Sequence, residues 1–355
     1  MSVIKTSIIF MLTVLILAQS ASGSELPQVT GLTQLTDDTA NEYDASWSPD
    51  DTSIVYIVDG STHKNLRIMD LDESSVTSNF CKSFLLQPDW GHDGILYITK
   101  DSDPKIPRDK IYITNNALTS SVQLTDITNI RYPSWNNDCT KILFLRLINY
   151  NYEIWTIDPD GTNAAGLTDF QTRMDSPCWS PDGTKIAFSA DDDIWVMDAD
   201  GSNRIQLTND DFLQTFPTWS PDGEFIAFTS NENGLDDIWI MRSDGTDKTL
   251  FISESRDLAH PDWSHDGTKL MYTSYQNGNG DLWVANVLIP VPTPTTASVP
   301  VVTQTVDVET KTNIVRLIVL AAALVLSTLA LLFMASIIIS GMRNRSHKKS
   351  IHHNV

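Results

Sequence analysis

Six four-stranded antiparallel blades closed into a β-propeller, an all-β fold, are what the repeats of this 355-residue chain predict. Three observations carry the prediction. All ten tryptophans fall on one grid: Trp47, Trp90, Trp135, Trp179, Trp219 and Trp263 stand 43, 45, 44, 40 and 44 residues apart, and Trp155, Trp195, Trp239 and Trp283 each follow one of these by 16–20 residues. A period in the low forties with aromatic anchors at fixed phase marks a closed repeat array. Each period also spells four short strands joined by turn chemistry. Finally, the two ends of the array are complementary, as argued below.

The first strand of a repeat carries Pro-x-Trp, as in Pro88-Asp89-Trp90, Pro133-Ser134-Trp135, Pro177-Cys178-Trp179, Pro217-Thr218-Trp219 and Pro261-Asp262-Trp263; the first repeat has Ala45-Ser46-Trp47. A tight turn follows, in full form Ser180-Pro181-Asp182-Gly183 and Ser220-Pro221-Asp222-Gly223. Pro pre-sets the first φ, Asp bonds back to the backbone, and Gly takes the left-handed position. Alternating second strands such as Lys185-Ile186-Ala187-Phe188 come next. Third strands such as Asp193-Ile194-Trp195-Val196-Met197 and Asp237-Ile238-Trp239-Ile240-Met241 lead through Asp-Gly turns (Asp160-Gly161, Asp200-Gly201, Asp244-Gly245) to a fourth strand ending in Leu-Thr. Four hairpin-linked strands make one blade.

The phase of the grid predicts how the ring closes. Gln-Leu-Thr ends the fourth strand at 123–125 and 206–208, and the same tripeptide stands at 34–36, eleven residues before Trp47, with no earlier strands of its own repeat. At the other end Trp283 lies in a third strand that has no fourth. The N-terminal strand is therefore expected to complete the last blade and leave no free sheet edge.

Outside the propeller, expected at residues 29–289, the composition changes. Residues 1–24 read as a secretory signal peptide: Lys5, an apolar run, then small residues. Residues 290–313, rich in Pro, Thr and Val, read as an extended stalk. Residues 317–340 contain no charge and, at ~1.5 Å per residue, reach about 36 Å, enough for a transmembrane helix. The basic tail 341–355, with Arg343, Arg345, Lys348 and Lys349, is expected to stay cytoplasmic. The reading is a single-pass cell-membrane protein with its bulk extracytoplasmic, at a cell surface. Of 24 Lys and Arg, six lie in the signal or at and beyond the span, which leaves 18 against 45 acidic residues, a net of −27. Such a surface repels nucleic acid and suits divalent cations or basic partners. Cys81, Cys139 and Cys178 are too few for a disulfide framework.

The Pro-x-Trp-Ser-Pro-Asp-Gly turn, the Ile-Ala-Phe strand and the Asp-Ile-Trp-x-Met-Asp-x-Asp-Gly strand resemble the WD-like repeats of TolB-type propellers, and also those of tricorn-like and oligopeptidase propellers. The resemblance covers residues about 29–289 and is fullest in repeats four to six. The second repeat departs with Gly91-His92-Asp93-Gly94 and the third with Asn136-Asn137-Asp138-Cys139. It implies six blades. TolB itself is a soluble periplasmic protein with an added N-terminal α/β domain that works with outer-membrane lipoproteins; this chain is expected to carry a membrane anchor in place of that domain.

Enzyme signatures are mostly absent: no G-x-S-x-G elbow occurs, and the histidines have no zinc spacing. The aspartates Asp50, Asp182, Asp222 and Asp266 recur at one hairpin and read as turn residues. Asp158, Asp160 and Asn163, and likewise Asp198, Asp200 and Asn203, have the spacing of a Ca²⁺ loop but lack the following Glu, so a hairpin turn is the stronger reading and Ca²⁺ the weaker one. The tryptophans are expected between blades. On the other face the loops vary from blade to blade and mix acids with aromatics. Asp191, Asp192, Asp193, Asp236, Asp237, Tyr43, Phe170 and Phe212 are the residues expected to meet a partner protein or glycan. The alternative function is a Ca²⁺-dependent, lactonase-like hydrolase with ligands converging in the central channel.

Overall fold

The computed structural model describes residues 25–290 except 61–62, 73–74, 83–84, 101–108, 170–172 and 277–278. The expected signal peptide, stalk, transmembrane helix and tail lie outside the described residues, and no described helix is long and apolar enough to cross a membrane. The described strands form six four-stranded antiparallel sheets.

Strand β1 (Gln28–Gln34) precedes the first blade, which comprises β2 (Asn41–Trp47), β3 (Ser53–Asp59), β4 (Lys64–Asp70) and β5 (Ser75–Lys82). Blade two contains β6 (Leu86–Gly91), β7 (Gly94–Lys100), β8 (Asp109–Thr114) and β9 (Ser121–Gln123). Blade three contains β10 (Ile130–Trp135), β11 (Ile142–Ile148), β12 (Asn151–Ile157) and β13 (Ala165–Gly166). Blade four contains β14 (Met174–Trp179), β15 (Lys185–Ala190), β16 (Asp193–Asp198) and β17 (Ile205–Gln206). Blade five contains β18 (Gln214–Trp219), β19 (Phe225–Ser230), β20 (Asp237–Arg242) and β21 (Thr249–Ile252). Blade six contains β22 (Asp257–Trp263), β23 (Lys269–Gln276) and β24 (Asn279–Leu288), and β1 is its fourth strand, running from the Gln28↔Leu288 pair to Gln34↔Trp283. Ring closure by the N-terminal strand is as the phase predicted.

The core is not one mass but six, each between consecutive blades. Trp90 packs with Val55, Ile57 and Leu66 of blade one. Trp135 packs with Leu96, Ile98 and Ile111 of blade two, and Trp263 with Phe225, Ala227 and Ile238 of blade five. Trp47 closes the circle against Met271, Leu282 and Val284 of blade six. The second strands are covered on both faces, which is why β19 is buried at every residue. Trp47 is 1% exposed and its Nε1 donates to Asp262 O at 3.1 Å. Truncating such a side chain costs about 3–5 kcal/mol.

The two turn families end the strands as their residues dictate. Ser180 Oγ donates to Asp182 Oδ1 (2.6 Å) and accepts from Lys185 N (2.9 Å), while Thr184 N donates to the same Asp182 oxygen (3.0 Å). These bonds hold the Asp182 carboxyl below the usual carboxylate range, Ser180 first. Asp50, Asp222 and Asp266 repeat the pattern. The divergent third repeat keeps it with Asn136 in place of serine, since Lys141 N donates to Asn136 Oδ1 (2.8 Å). At the other turn Gly201 has φ 86°, and a Cβ there would collide with Leu167 O in the preceding blade. The Asp-Gly turn is thus also a contact between blades.

Candidate functional site

The inner strands begin earlier than Pro-x-Trp suggests, and each is bulged. The register slips at Tyr43/Ser46, Leu86/Asp89, Arg131/Ser134, Asp175/Cys178, Thr215/Thr218 and Ala259/Asp262. At each slip the residue before Pro (before Ala45 in blade one) is left-handed: Asp44 φ 49°, Gln87 50°, Tyr132 50°, Ser176 46°, Phe216 54° and His260 53°. Proline has no N–H for the ladder, so the strand bulges there, and a bulge re-aims its side chain. Here all six are re-aimed inward. Together with the two residues that follow each, they line a central cavity of about 170 Å³.

Hydrogen bonds run round this ring from blade to blade. Gln87 N donates to Asp44 Oδ2 (3.3 Å) and Tyr132 N to Gln87 Oε1 (2.8 Å). His260 Nε2 lies 3.3 Å from Asp44 Oδ1 across the junction of blades six and one, and the Phe216 ring lies 4.0 Å from the His260 ring. One layer further along, the x of Pro-x-Trp accepts from the next blade: Trp90 N donates to Ser46 Oγ (3.1 Å) and Trp135 N to Asp89 Oδ2 (2.6 Å). Burial pushes the Asp89 carboxyl up to about 6. Asp262 is raised well above the carboxylate range by burial and by Asp89, although the Trp47 N–H opposes this. A second cavity of about 110 Å³ continues past them, walled by Trp47, Trp90, Trp135 and Trp263, with His92 and His265 at its edge. Cys139 and Cys178 are free thiols, and burial raises both.

The loops at the start of the inner strands form the face where partner residues were expected. Asp191 and Asp192 are exposed in a two-residue turn with φ 50° and 69°, the signature of a hairpin turn with two left-handed residues. Phe212 is half-buried, beside Leu213, which is 38% exposed. Asp236 is half-buried, and burial and then Asp257 push its carboxyl up. These loops are tied across three blades: Gln214 N donates to Asp192 O (2.8 Å), Leu213 N to Asn231 Oδ1 (3.0 Å), and Leu258 N to Asp236 O (2.6 Å).

Three expected partner residues stand elsewhere. Asp193 is buried and spends both oxygens inside its blade, because it opens a third strand rather than ending a loop. Asp237 is 1% exposed for the same reason. Tyr43 is half-buried in β2, its hydroxyl accepting from Lys64 and donating to Asp59 Oδ2 at 3.4 Å. Phe170 lies outside the described residues. The Ca²⁺-loop residues use their oxygens in the turn. Asn163 Nδ2 donates to Asp158 Oδ2 (2.6 Å), Lys141 Nζ lies 2.5 Å from Asp158 Oδ1, and Thr162 bonds Asp160. Asn203, Asp198, Lys185 and Asp200 repeat this arrangement. Among the described residues no three His, Cys, Asp or Glu side chains form a metal-binding group.

Sequence reasoning missed the channel ring, although its signal was present: one position before each Pro-x-Trp, occupied by a different residue in every repeat.

Residues 163–289 match the family model of the TolB β-propeller domain. The Tol-Pal system protein TolB of Nitrosomonas europaea is 39% identical over 51 residues, 14% of this chain and 12% of that protein. This chain therefore spans about an eighth of that curated relative. Among solved structures, TolB from Acinetobacter baumannii aligns with TM-score 0.55 at 20% identity, covering 66% of this chain and 64% of that one. A gluconolactonase from Xanthomonas campestris aligns with TM-score 0.56 at 12% identity, over 74% and 95% of the two chains. An oligogalacturonate lyase in complex with manganese gives 0.52 at 16%, over 72% and 80%. At these identities the structures share the fold alone. The repeat grammar, the family model matched over residues 163–289 and the six-bladed ring agree in supporting a TolB-type β-propeller.

Proposed function

We propose that this chain is an extracytoplasmic propeller, tethered to the membrane through residues 317–340, that binds another protein on the face carrying Asp191, Asp192, Phe212, Leu213, Leu235 and Asp236. One observation carries the reading. That face is a shelf of loops held rigid by hydrogen bonds across blades four to six, and it exposes Leu213 (38%) and Leu235 (40%) among acidic side chains. Rigid loops presenting apolar groups in a charged rim suit a protein surface better than a small molecule. The partner expected is basic, by charge complementarity with a net of −27. A photo-crosslinking residue at Leu213, in full-length protein in native membranes, is expected to capture a discrete partner. One at Asn163, on the turns of the opposite face, is not. Equal capture from both positions, or capture from neither, would refute this face. Retention of the protein in carbonate-washed membranes, lost on truncation after residue 313, tests the tether.

A second reading rests on the His260–Asp44 pair at 3.3 Å in the channel. An imidazole held by a carboxylate is the arrangement of a general base, and it would serve a lactonase-like hydrolase. Hydrolysis of a lactone panel, abolished by His260→Ala, tests it; a panel left untouched by the wild type removes it.

A further inference from the structure

Blade five departs from blade four at one buried point. In blade four Asp193 opens β16 with both oxygens taken: Gln206 Nε2 donates to Oδ2 (2.8 Å) and Thr208 Oγ1 to Oδ1 (3.0 Å). Both donors belong to the Gln-Leu-Thr of the fourth strand. Blade five keeps the carboxylate, Asp237, but replaces the donors. Leu250 pairs with Trp239 where Gln206 pairs with Trp195, and Ile252 pairs with Ile238. Asp237 is 1% exposed and its Oδ1 has no protein donor.

A second unpartnered oxygen lies in the same row. Gln214 pairs with Ser230 and Ser230 with Asp237, so the three side chains share one face across β18, β19 and β20. Gln214 and Ser230 are wholly buried, and Gln214 Oε1 accepts nothing. Its orientation is fixed, because Nε2 donates to Asp210 Oδ1 (2.8 Å) and a carboxylate only accepts. Ser230 Oγ accepts from Glu232 N at 3.4 Å. The neighbouring cation, Lys248, is held by Asp210 (2.5 Å) and Glu232 (2.7 Å). Two carboxylates, Asp210 and Glu232, therefore share one ammonium, and the donor to Asp237 is Asn233 Nδ2, at Oδ2 (3.4 Å). Each buried oxygen left without a donor costs about 1–3 kcal/mol, so the pair is costly unless something binds there. Blade six shows the contrast. Asp281 Oδ1 is also unpartnered, but its row holds Leu258 and a Ser274 whose hydroxyl is spent on Glu254.

We propose that Gln214 Oε1, Ser230 Oγ and Asp237 Oδ1 bind a hard divalent cation of calcium size beneath the 231–236 loop. An amide oxygen, a hydroxyl and one carboxylate are all hard ligands. Calcium accepts such mixed, irregular oxygen sets with water completing its shell, whereas magnesium requires near-ideal octahedral geometry. Excess negative charge around Lys248 favours a divalent over a monovalent ion. The site also lies under Leu235 and Asp236, so the cation would stiffen the shelf assigned to protein binding; that consequence, not the site, rests on the proposed function.

The test is calcium titration of chelator-treated, purified full-length protein by calorimetry, with hydrogen exchange read over residues 231–237. Wild type is expected to bind calcium and slow exchange in this loop, with no such change in equal magnesium. Asp237→Asn and, as a milder variant, Gln214→Met are each expected to weaken binding at least about tenfold, since even outer-shell losses cost that much. Asp160→Asn and Asp200→Asn, in the turns of the opposite face, are expected to leave it unchanged. No calcium binding by the wild type, as when a water satisfies both oxygens, would overturn the site. Undiminished binding by both Asp237→Asn and Gln214→Met would do the same. Calcium binding that persists while crosslinking at Leu213 fails would count against the protein-binding reading alone.

Discussion

Glu42 offers a sharp test of how this ring is balanced, because the expected effect of removing its charge is a gain. It sits in β2 with its side chain 1% exposed. Oε2 has no protein donor, and Arg67 approaches Oε1 only to 3.8 Å. Burial, and then the Asp38 charge, push the carboxyl from 4.5 up to about 7 against the opposing Thr36 hydrogen bond and Arg67. Each unit is worth about 1.4 kcal/mol, so ionising Glu42 in the folded chain costs about 3 kcal/mol more than in the unfolded one. The folded value is the raised one. Below pH 4.5 the group is protonated in both states and nothing is lost; above about pH 7 it is charged in both, and the full penalty stands. Glu42→Gln removes the charge with little change of shape, and Arg67 keeps Asp38 at 3.4 Å. Thermal melts from pH 4 to 8.5 are expected to show the variant equal to wild type at the acid end. At pH 8 its Tm should be higher by about 6–12 °C, at about 2–4 °C per kcal/mol for a domain of this size. A variant that loses stability at pH 8 would show that Arg67 and an ionised Glu42 form a net-stabilising pair, and would refute the reasoning.

Two further outcomes follow from the fold. Gly183 and Gly201 are both left-handed, φ 68° and 86°, yet only Gly201 faces the neighbouring blade, where an added Cβ would run into Leu167 O. Gly183→Ala is expected to cost only the backbone term, about 1–2 kcal/mol, and Gly201→Ala at least twice that; equal shifts in urea midpoint would mean that the blade contact yields freely. Deleting residues 25–34 strips β1 from β24 and exposes an edge. A Tm loss of roughly 10 °C or more and larger species on gel filtration are expected, and an unchanged monomeric elution and Tm would show that closure is dispensable.

The blade count, the closing strand and the placement of tryptophans between blades were legible because each depends on spacing, which the chain states directly. Ser180, Asp182 and Gly183 were equally legible, since local chemistry alone closes that turn. The channel ring was not. Asp44, Gln87, Tyr132, Ser176, Phe216 and His260 share a position but no residue type, and period-two reasoning assigns their side chains to the wrong side once a bulge intervenes. Asp237 reads as a loop acid because it follows Asp236, yet a single step into β20 turns it inward beside Ser230. Its unpartnered oxygen becomes visible only when Leu250 and Ile252 are seen in the places of two donors.

Strand direction gives the closing blade a mechanical meaning. Strand β24 runs away from the loop shelf and leaves the ring at Leu288, beside Gln28, where β1 begins. A load between a ligand on the shelf and the chain beyond Leu288 would pull along β24 rather than across it. The ladders to β23 and β1 would then resist in shear, many bonds sharing the force, where a pull at right angles would open them one by one. Under such a load, survival of the domain is set by its unfolding rate, and the seam formed by the two ends of the ring is placed to bear it.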